Sequence, residues 1–211
     1  MTARTAAGRP RDPAIDAAVL GAAVGLLGEA GYAAFAMEKV AARAGTTKAA
    51  IRRRWPVRQR LVIDALASVM VAPPVPDNGC TRCDLHQSVQ LLAEALDERL
   101  PPGVLAPLLA DCAADPELHR QLVEQLITPS RSAAATAVRR AVDRGDLLPG
   151  TDPALLTDLL ASVVYQRALL GGAPVDRAGA RALVDLLLRG VAVDFARLVR
   201  ISEERDRDHR H

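Results

Sequence analysis

Apolar residues set the first rhythm of the chain. Ile15, Val19, Ala22, Leu26 and Ala30 return every three or four positions, the spacing of one helix face. Asp12 offers an N-cap, Pro13 suits the first helical position, and Gly31 suits a left-handed stop. A short second helix is predicted over 37–44, burying Met37, Val40, Ala41 and Ala44, with Gly45 as the turn. Thr47 caps a third helix over 48–55, which Pro56 ends because proline lacks the amide hydrogen a helix needs. A fourth, over 58–71, carries Leu61, Val62, Ala65, Leu66 and Val69.

Residues 72–79 read as a linker, being rich in proline and closed by Asp77, Asn78 and Gly79. Further helices are predicted at about 84–99, 103–113, 116–144, 152–170 and 176–200, with a kink or split at Pro129. The charged tail from Ser202 is expected to fray. Two of the later helices are apolar nearly all round. One carries Leu155, Leu156, Leu159, Leu160, Val163 and Val164, the other Leu183, Val184, Leu186, Leu187, Leu188 and Val191. Such helices must be buried on more than one side. They are expected to pair with their symmetry mates in a homodimer, through Leu155, Leu159, Val163, Leu183, Leu187 and Val191. The fold class that follows is all-α. An N-terminal unit, 1–71, holds an arm, the short helices and a connecting helix, and a larger helical unit, 72–211, is left for ligand binding and dimerisation.

Composition sharpens this reading. Half of the 211 residues are hydrophobic, yet only Tyr32, Phe35, Trp55, Tyr165 and Phe195 are aromatic, which favours helix over strand. The net charge of +2 conceals an asymmetry: residues 1–60 hold eleven Lys/Arg against four Asp/Glu, and the remainder is acidic in balance. A basic head on an acidic body points to a polyanion met by the head alone. The apolar run 17–28 is too short for a membrane span, and an odd number of cysteines, three, makes no disulfide framework. The expected location is the cytoplasm, with no membrane partner.

Two short helices about a glycine turn, the second basic, fit a DNA-binding helix-turn-helix. At about 100° per residue, Ile51 and Trp55 point together into a core. Arg53 lies opposite, flanked by Ala49 and Ala50, and faces the floor of a major groove. Arg52 and Arg54 project to the flanks, where phosphates would lie. A guanidinium there can take the O6 and N7 acceptors of guanine, and small alanines allow close approach. Thr46, Thr47, Lys48 and Arg58 complete the candidate DNA-contacting set, and the helix start adds backbone amides for a phosphate. The Gly8-Arg9-Pro10-Arg11 arm is a candidate for an adjacent minor groove.

This segment resembles the tetracycline-repressor (TetR) family of bacterial regulators. Gly31, Ala41, Gly45, Lys48, Ile51, Trp55 and Pro56, followed by Arg58 and Leu61, stand where the family pattern has such residues. Asp115-Pro116-Glu117-Leu118, Asp143-Arg144-Gly145-Asp146-Leu147 and Asp152-Pro153 resemble one branch of it. The resemblance implies an operator-binding dimer, a repressor released by a small-molecule effector, and no cofactor. Arg52 replaces the usual phosphate-contacting tyrosine, and Ala36 replaces the threonine that commonly caps the second helix.

Weaker constellations remain. Cys80, Cys83 and His86 form a C-x2-C-x2-H pattern, short of the four ligands of a closed zinc site. Its readings are a redox switch or two structural cysteines at a linker junction. Cys112 is expected in the core. Tyr165, Gln125 and His119 are the candidate polar anchors of an otherwise aliphatic ligand pocket. No phosphate-cradling glycine loop, G-x-S-x-G or H-E-x-x-H is present, so no enzyme mechanism is read here. A DNA-binding architectural protein without ligand input is the alternative, and a helical enzyme a more remote one.

Overall fold

In a computed structural model, residues 13–208 are described, so the Gly8–Arg11 arm and the Asp12 cap lie outside the described residues. Helix α1 (Pro13–Ala30) buries Val19, Ala22, Ala23, Leu26 and Leu27. By length and composition it could cross a membrane, more than the run 17–28 indicated; here those five residues form the core of the head. Gly31, at φ 72°, closes it. Helices α2 (Met37–Arg43) and α3 (Lys48–Arg54) follow, and α4 (Arg58–Val69) packs back along α1. Leu61, Val62, Ile63, Ala65 and Leu66 of α4 are all fully buried. Burying each of the Val, Ile and Leu side chains among them contributes about 1.5–3 kcal/mol.

The body begins after the linker. Helix α5 (Thr81–Glu94) runs into a π-turn, Ala95–Arg99. Helices α6 (Leu105–Cys112), α7 (Pro116–Leu122), α8 (Thr128–Asp143), α9 (Pro153–Leu170), α10 (Arg177–Val191) and α11 (Phe195–Asp208) complete it. Helix α5 is its axis, packed against α8, α9, α10 and α11. The break expected at Pro129 takes the form of a π-turn, Val123–Ile127, one turn upstream, where proline would otherwise clash. Thr128 Oγ1 donates to the Val123 carbonyl there, at 3.1 Å.

Two expectations are corrected. The single helix over 176–200 is two helices. The Leu148 amide donates to the Val191 carbonyl and the Val193 amide to that of Asp146, tying residues 191–193 to the loop before α9. Asp194 then receives the Arg197 amide at 2.8 Å, capping α11. Nor is the tail from Ser202 frayed over its described part: α11 continues to Asp208, and Ser202 is buried.

The Asp143–Leu147 motif has a structural role. Gly145, at φ 70°, stops α8 and turns Asp146 into the interior. Asp146 accepts from Thr81 at 2.6 Å, and Arg144 reaches Thr81, Asp84 and Asp146 together. Asp84, fully buried, also accepts from the Asn78 amide at 2.7 Å. This knot fixes the start of α5 against two loops. Beside it Cys80 and Cys83 are joined by a disulfide, a single local link, while Cys112 is free and buried as expected.

Candidate nucleic-acid interface and ligand cavity

Helix α3 is positioned by its two ends and one face. The Thr47 hydroxyl accepts the Ala50 amide at 3.1 Å, the cap read from sequence. Gly45, at φ 64°, lets the Thr46 amide reach back to the Ala41 carbonyl at 3.0 Å and closes α2. Ile51 and Trp55 are buried, and the indole Nε1 donates to Asp64 of α4 at 2.7 Å. The opposite face is free: Thr47, Ala49, Arg52 and Arg53 are exposed, and Ala50 and Thr46 are half-buried. Ala36 leaves α2 without a side-chain cap, as its identity implied.

Three of the candidate phosphate contacts are already engaged. Arg54 does not project to a flank. It forms an ion pair at 2.5 Å with Asp16 of α1, and its side chain is only 19% exposed. Lys48 pairs with Glu38 of α2. Arg58 turns away from α3 to Asp111 of α6, at 2.6 Å, and lies over the Tyr32 ring at 4.7 Å from its centre. Tyr32 donates to the same carboxylate at 2.8 Å. Burial, then the Asp111 bond, pushes the Tyr32 phenol well above its usual range. Arg58, followed by Tyr32, holds the Asp111 carboxyl below its usual range. A second link crosses the same junction: Asp64, which receives Trp55, also receives Gln121 of α7 at 2.9 Å. Neither junction was read from sequence, since no local motif marks contacts between residues 53 to 79 apart.

Matches to known proteins agree with this geometry. Residues 19–65 match the family described as bacterial regulatory proteins, tetR family, and residues 75–187 the tetracyclin repressor-like C-terminal domain. The chain belongs to the TetR family. It is 30% identical to the HTH-type transcriptional regulator YdeS of Bacillus subtilis over 190 residues, 90% of this chain and 96% of that one. It is 32% identical to the DNA-binding transcriptional repressor TetR of Mycobacteroides abscessus over 174 residues, 82% of this chain and 90% of that one. A crystal structure of a TetR family transcription regulator superposes with a TM-score of 0.67 at 30% identity, covering 84% of this chain and 98% of that one. As a TetR-family member the chain is a DNA-binding transcriptional regulator, and its exposed α3 face is where the helix-turn-helix presents side chains outward.

The body holds an apolar cavity of about 220 Å³ between α5, α8 and α9. Val89, Leu92, Ile127, Leu160 and Ala161 wall it, and Tyr165 lines it from α9. The Tyr165 hydroxyl is buried with no hydrogen-bond partner among the described residues, and burial pushes its pKa up to about 12. An unpaired buried hydroxyl costs about 1–3 kcal/mol. The other two sequence candidates are elsewhere. His119 is exposed and lines a surface hollow with Pro116 and Val123. Gln125, half-buried in the π-turn after α7, is not part of the Tyr165 cavity.

The outward faces of α9 and α10 keep apolar residues in solvent. Leu155 is 57% exposed and Leu186 69%; Leu159 is exposed too, and Val163, Leu183, Leu187 and Val191 are half-buried.

Proposed function

We propose that this TetR-family regulator is a cytoplasmic repressor, binding a near-palindromic operator as a homodimer and released by a small, largely apolar ligand. The observation that carries the ligand response is the Tyr165 hydroxyl, buried and unpaired beside an apolar cavity. A ligand acceptor or donor meeting it removes a cost the empty protein bears, and aliphatic walls favour apolar bulk around that one anchor. Repression is supported by the similarity to the Mycobacteroides abscessus repressor. Dimerisation is supported by Leu155, Leu159, Val163, Leu183, Leu187 and Val191, whose apolar surface a monomer leaves in water.

In this reading Arg53 reads a base, with Ala49 and Ala50 beside it, while Arg52, Thr46 and Thr47 meet the backbone. Arg54 holds α3 to α1 through Asp16, Lys48 stays at the exposed surface within reach of a phosphate, and Arg58 couples the head to the body. The two heads of the dimer take half-sites one helical turn, about 34–36 Å, or a multiple apart. Ligand release then requires two states of different DNA affinity. The junctions Arg58–Asp111 and Trp55–Asp64–Gln121 join α4 to α6 and α7, so they are the contacts a cavity-driven shift would remake.

The test has two stages. Bound DNA is selected from a random pool, and a ligand found by screening is then titrated by calorimetry with and without the selected operator. Coupling of about 1–3 kcal/mol makes each weaken the other by the same factor, roughly 5–150-fold. Equal ligand affinities in the two titrations would refute the effector role. A monomer by light scattering at micromolar concentration would refute the dimer.

A further inference from the structure

A second cavity, of about 310 Å³, lies between α5, α10 and α11, and neither DNA reading nor the Tyr165 cavity uses it. Its chemistry is the reverse of its neighbour's. Four arginines, Arg82, Arg177, Arg181 and Arg205, line it against one acidic residue, Asp206. Arg82 is the fixed base. It grips Asp185 through two bonds of 2.6 and 2.9 Å, donates to the Ser202 hydroxyl at 2.8 Å, and its side chain is 11% exposed. Arg181 approaches Asp206 only at 3.4 Å. Arg177 is exposed, and its side chain has no ion pair among the described residues. With Glu203, whose charge also acts on Arg82, lining and base carry one more positive charge than negative ones.

Gathering like charges in a partly enclosed hollow focuses the field there. Burial chiefly pushes the His86 pKa below its usual value; the Arg177 carbonyl, 3.2 Å from Nε2, opposes this, and the charges of Arg181, Arg177 and Arg82 add to it. Planar guanidinium groups on a rigid base match the paired oxygens of a carboxylate or phosphoryl group, and charge-assisted bonds are the strong ones. On α10, Arg177, Arg181 and Asp185 recur every fourth residue along one flank, whereas Leu183 and Leu187 lie on the other. Pairing through the leucines therefore leaves the hollow open.

We propose that this hollow is a binding site for a small polyanion carrying two or more carboxylate or phosphoryl groups, held by Arg177 and Arg181 above the Arg82–Asp185 base. It is a different ligand class from the apolar one read at Tyr165, and it stands or falls without that reading.

The probes are citrate and inorganic pyrophosphate, titrated into the full-length protein by calorimetry at constant ionic strength. The expected result is saturable binding of at least one probe, one per chain. Arg177→Gln and Arg181→Gln should each weaken it about tenfold or more, the loss expected for one charge-assisted bond. Arg139→Gln, an exposed arginine of α8 outside the hollow, should leave it unchanged. Arg181→Lys, which keeps the charge and loses the fork, should fall between. Failure of both probes to saturate overturns the site. So does an equal loss in Arg139→Gln, or binding that survives Arg177→Gln and Arg181→Gln but is lost in Arg52→Ala, which would place the anion on the DNA-binding face. Thermal unfolding of each variant, unchanged within a few degrees, establishes that a loss is local.

Discussion

Two arginine clusters in this molecule carry the same charge and differ in shape. On α3, Arg52 and Arg53 stand on the convex face of an exposed helix, next to the small Ala49, while their neighbour Arg54 is neutralised by Asp16. Between α5, α10 and α11, Arg177 and Arg181 edge a hollow built on the Arg82–Asp185 pair. A convex basic face is complementary to a groove in a polyanion, whereas a concave one can surround a small ion. Charge alone selects neither partner. The neighbours decide, through which cation they neutralise and which surface they leave open.

The largest effect expected in the comparison is on the support of the convex face. Trp55→Ala removes a buried ring and the bond to Asp64, and should destabilise the protein by about 3–5 kcal/mol. Urea unfolding followed by circular dichroism measures this. A loss under 1 kcal/mol would mean that α3 is held in place by something else. Next is the disulfide beside the hollow. Opening Cys80–Cys83 frees a loop of only four residues, worth about 2 kcal/mol by the chain-entropy argument. Reduction, or Cys80→Ser, should lower the urea midpoint and leave operator affinity unchanged. A matched loss of operator affinity would make the pair a switch on the head.

A smaller effect separates the exposed cation from the engaged one. Arg52→Ala should weaken operator and random DNA alike and reduce the salt slope of binding by about 0.9. Arg58→Ala, already tied to Asp111, should leave that slope unaltered. A reduced slope in Arg58→Ala would return this residue to the phosphates. The smallest effect is at the junction itself. Asp111 is exposed enough that its pair with Arg58 is worth at most about 1 kcal/mol. Its carboxyl is held below the ordinary value of 3.8, so its contribution is present above that pH and is lost as pH falls through the lower, folded value. The stability gap between the protein and Asp111→Asn should therefore be full at pH 7 and narrow below about pH 4. A gap constant between pH 7 and pH 2 would remove the ion pair as its source.

What the sequence made legible was local. Gly45, Thr47, Ile51, Trp55 and Pro56 fall within a dozen residues, and each fixes a backbone feature of α2 or α3, so helix, turn and exposed face followed from spacing. Periodicity says which way a side chain leaves its own helix and nothing of what meets it. Hence spacing marks Arg54, Lys48 and Arg58 as candidate phosphate ligands and is silent on Asp16, Glu38 and Asp111, which come to them from other helices. Of the three ligand anchors, Tyr165 sat among aliphatic neighbours that bury it, while His119 and Gln125 shared only a helical segment with each other. The division between α10 and α11 had a visible signal, Asp194 three residues before Arg197, outweighed by the apolar run through 191–193. The arginines of the hollow come from three helices up to 123 positions apart, and no pattern in the chain joins them.

The central claim is that the exposed face of α3 reads DNA sequence, with Arg53 at its centre. It is tested most directly by comparing Arg53→Ala with the unaltered protein on the selected operator and on a random duplex of equal length, by fluorescence anisotropy at one salt concentration. Arg53→Ala should lose about 1–3 kcal/mol on the operator and much less on the random duplex. Equal losses on the two would contradict it, making Arg53 one more phosphate contact and leaving sequence to be read by other residues.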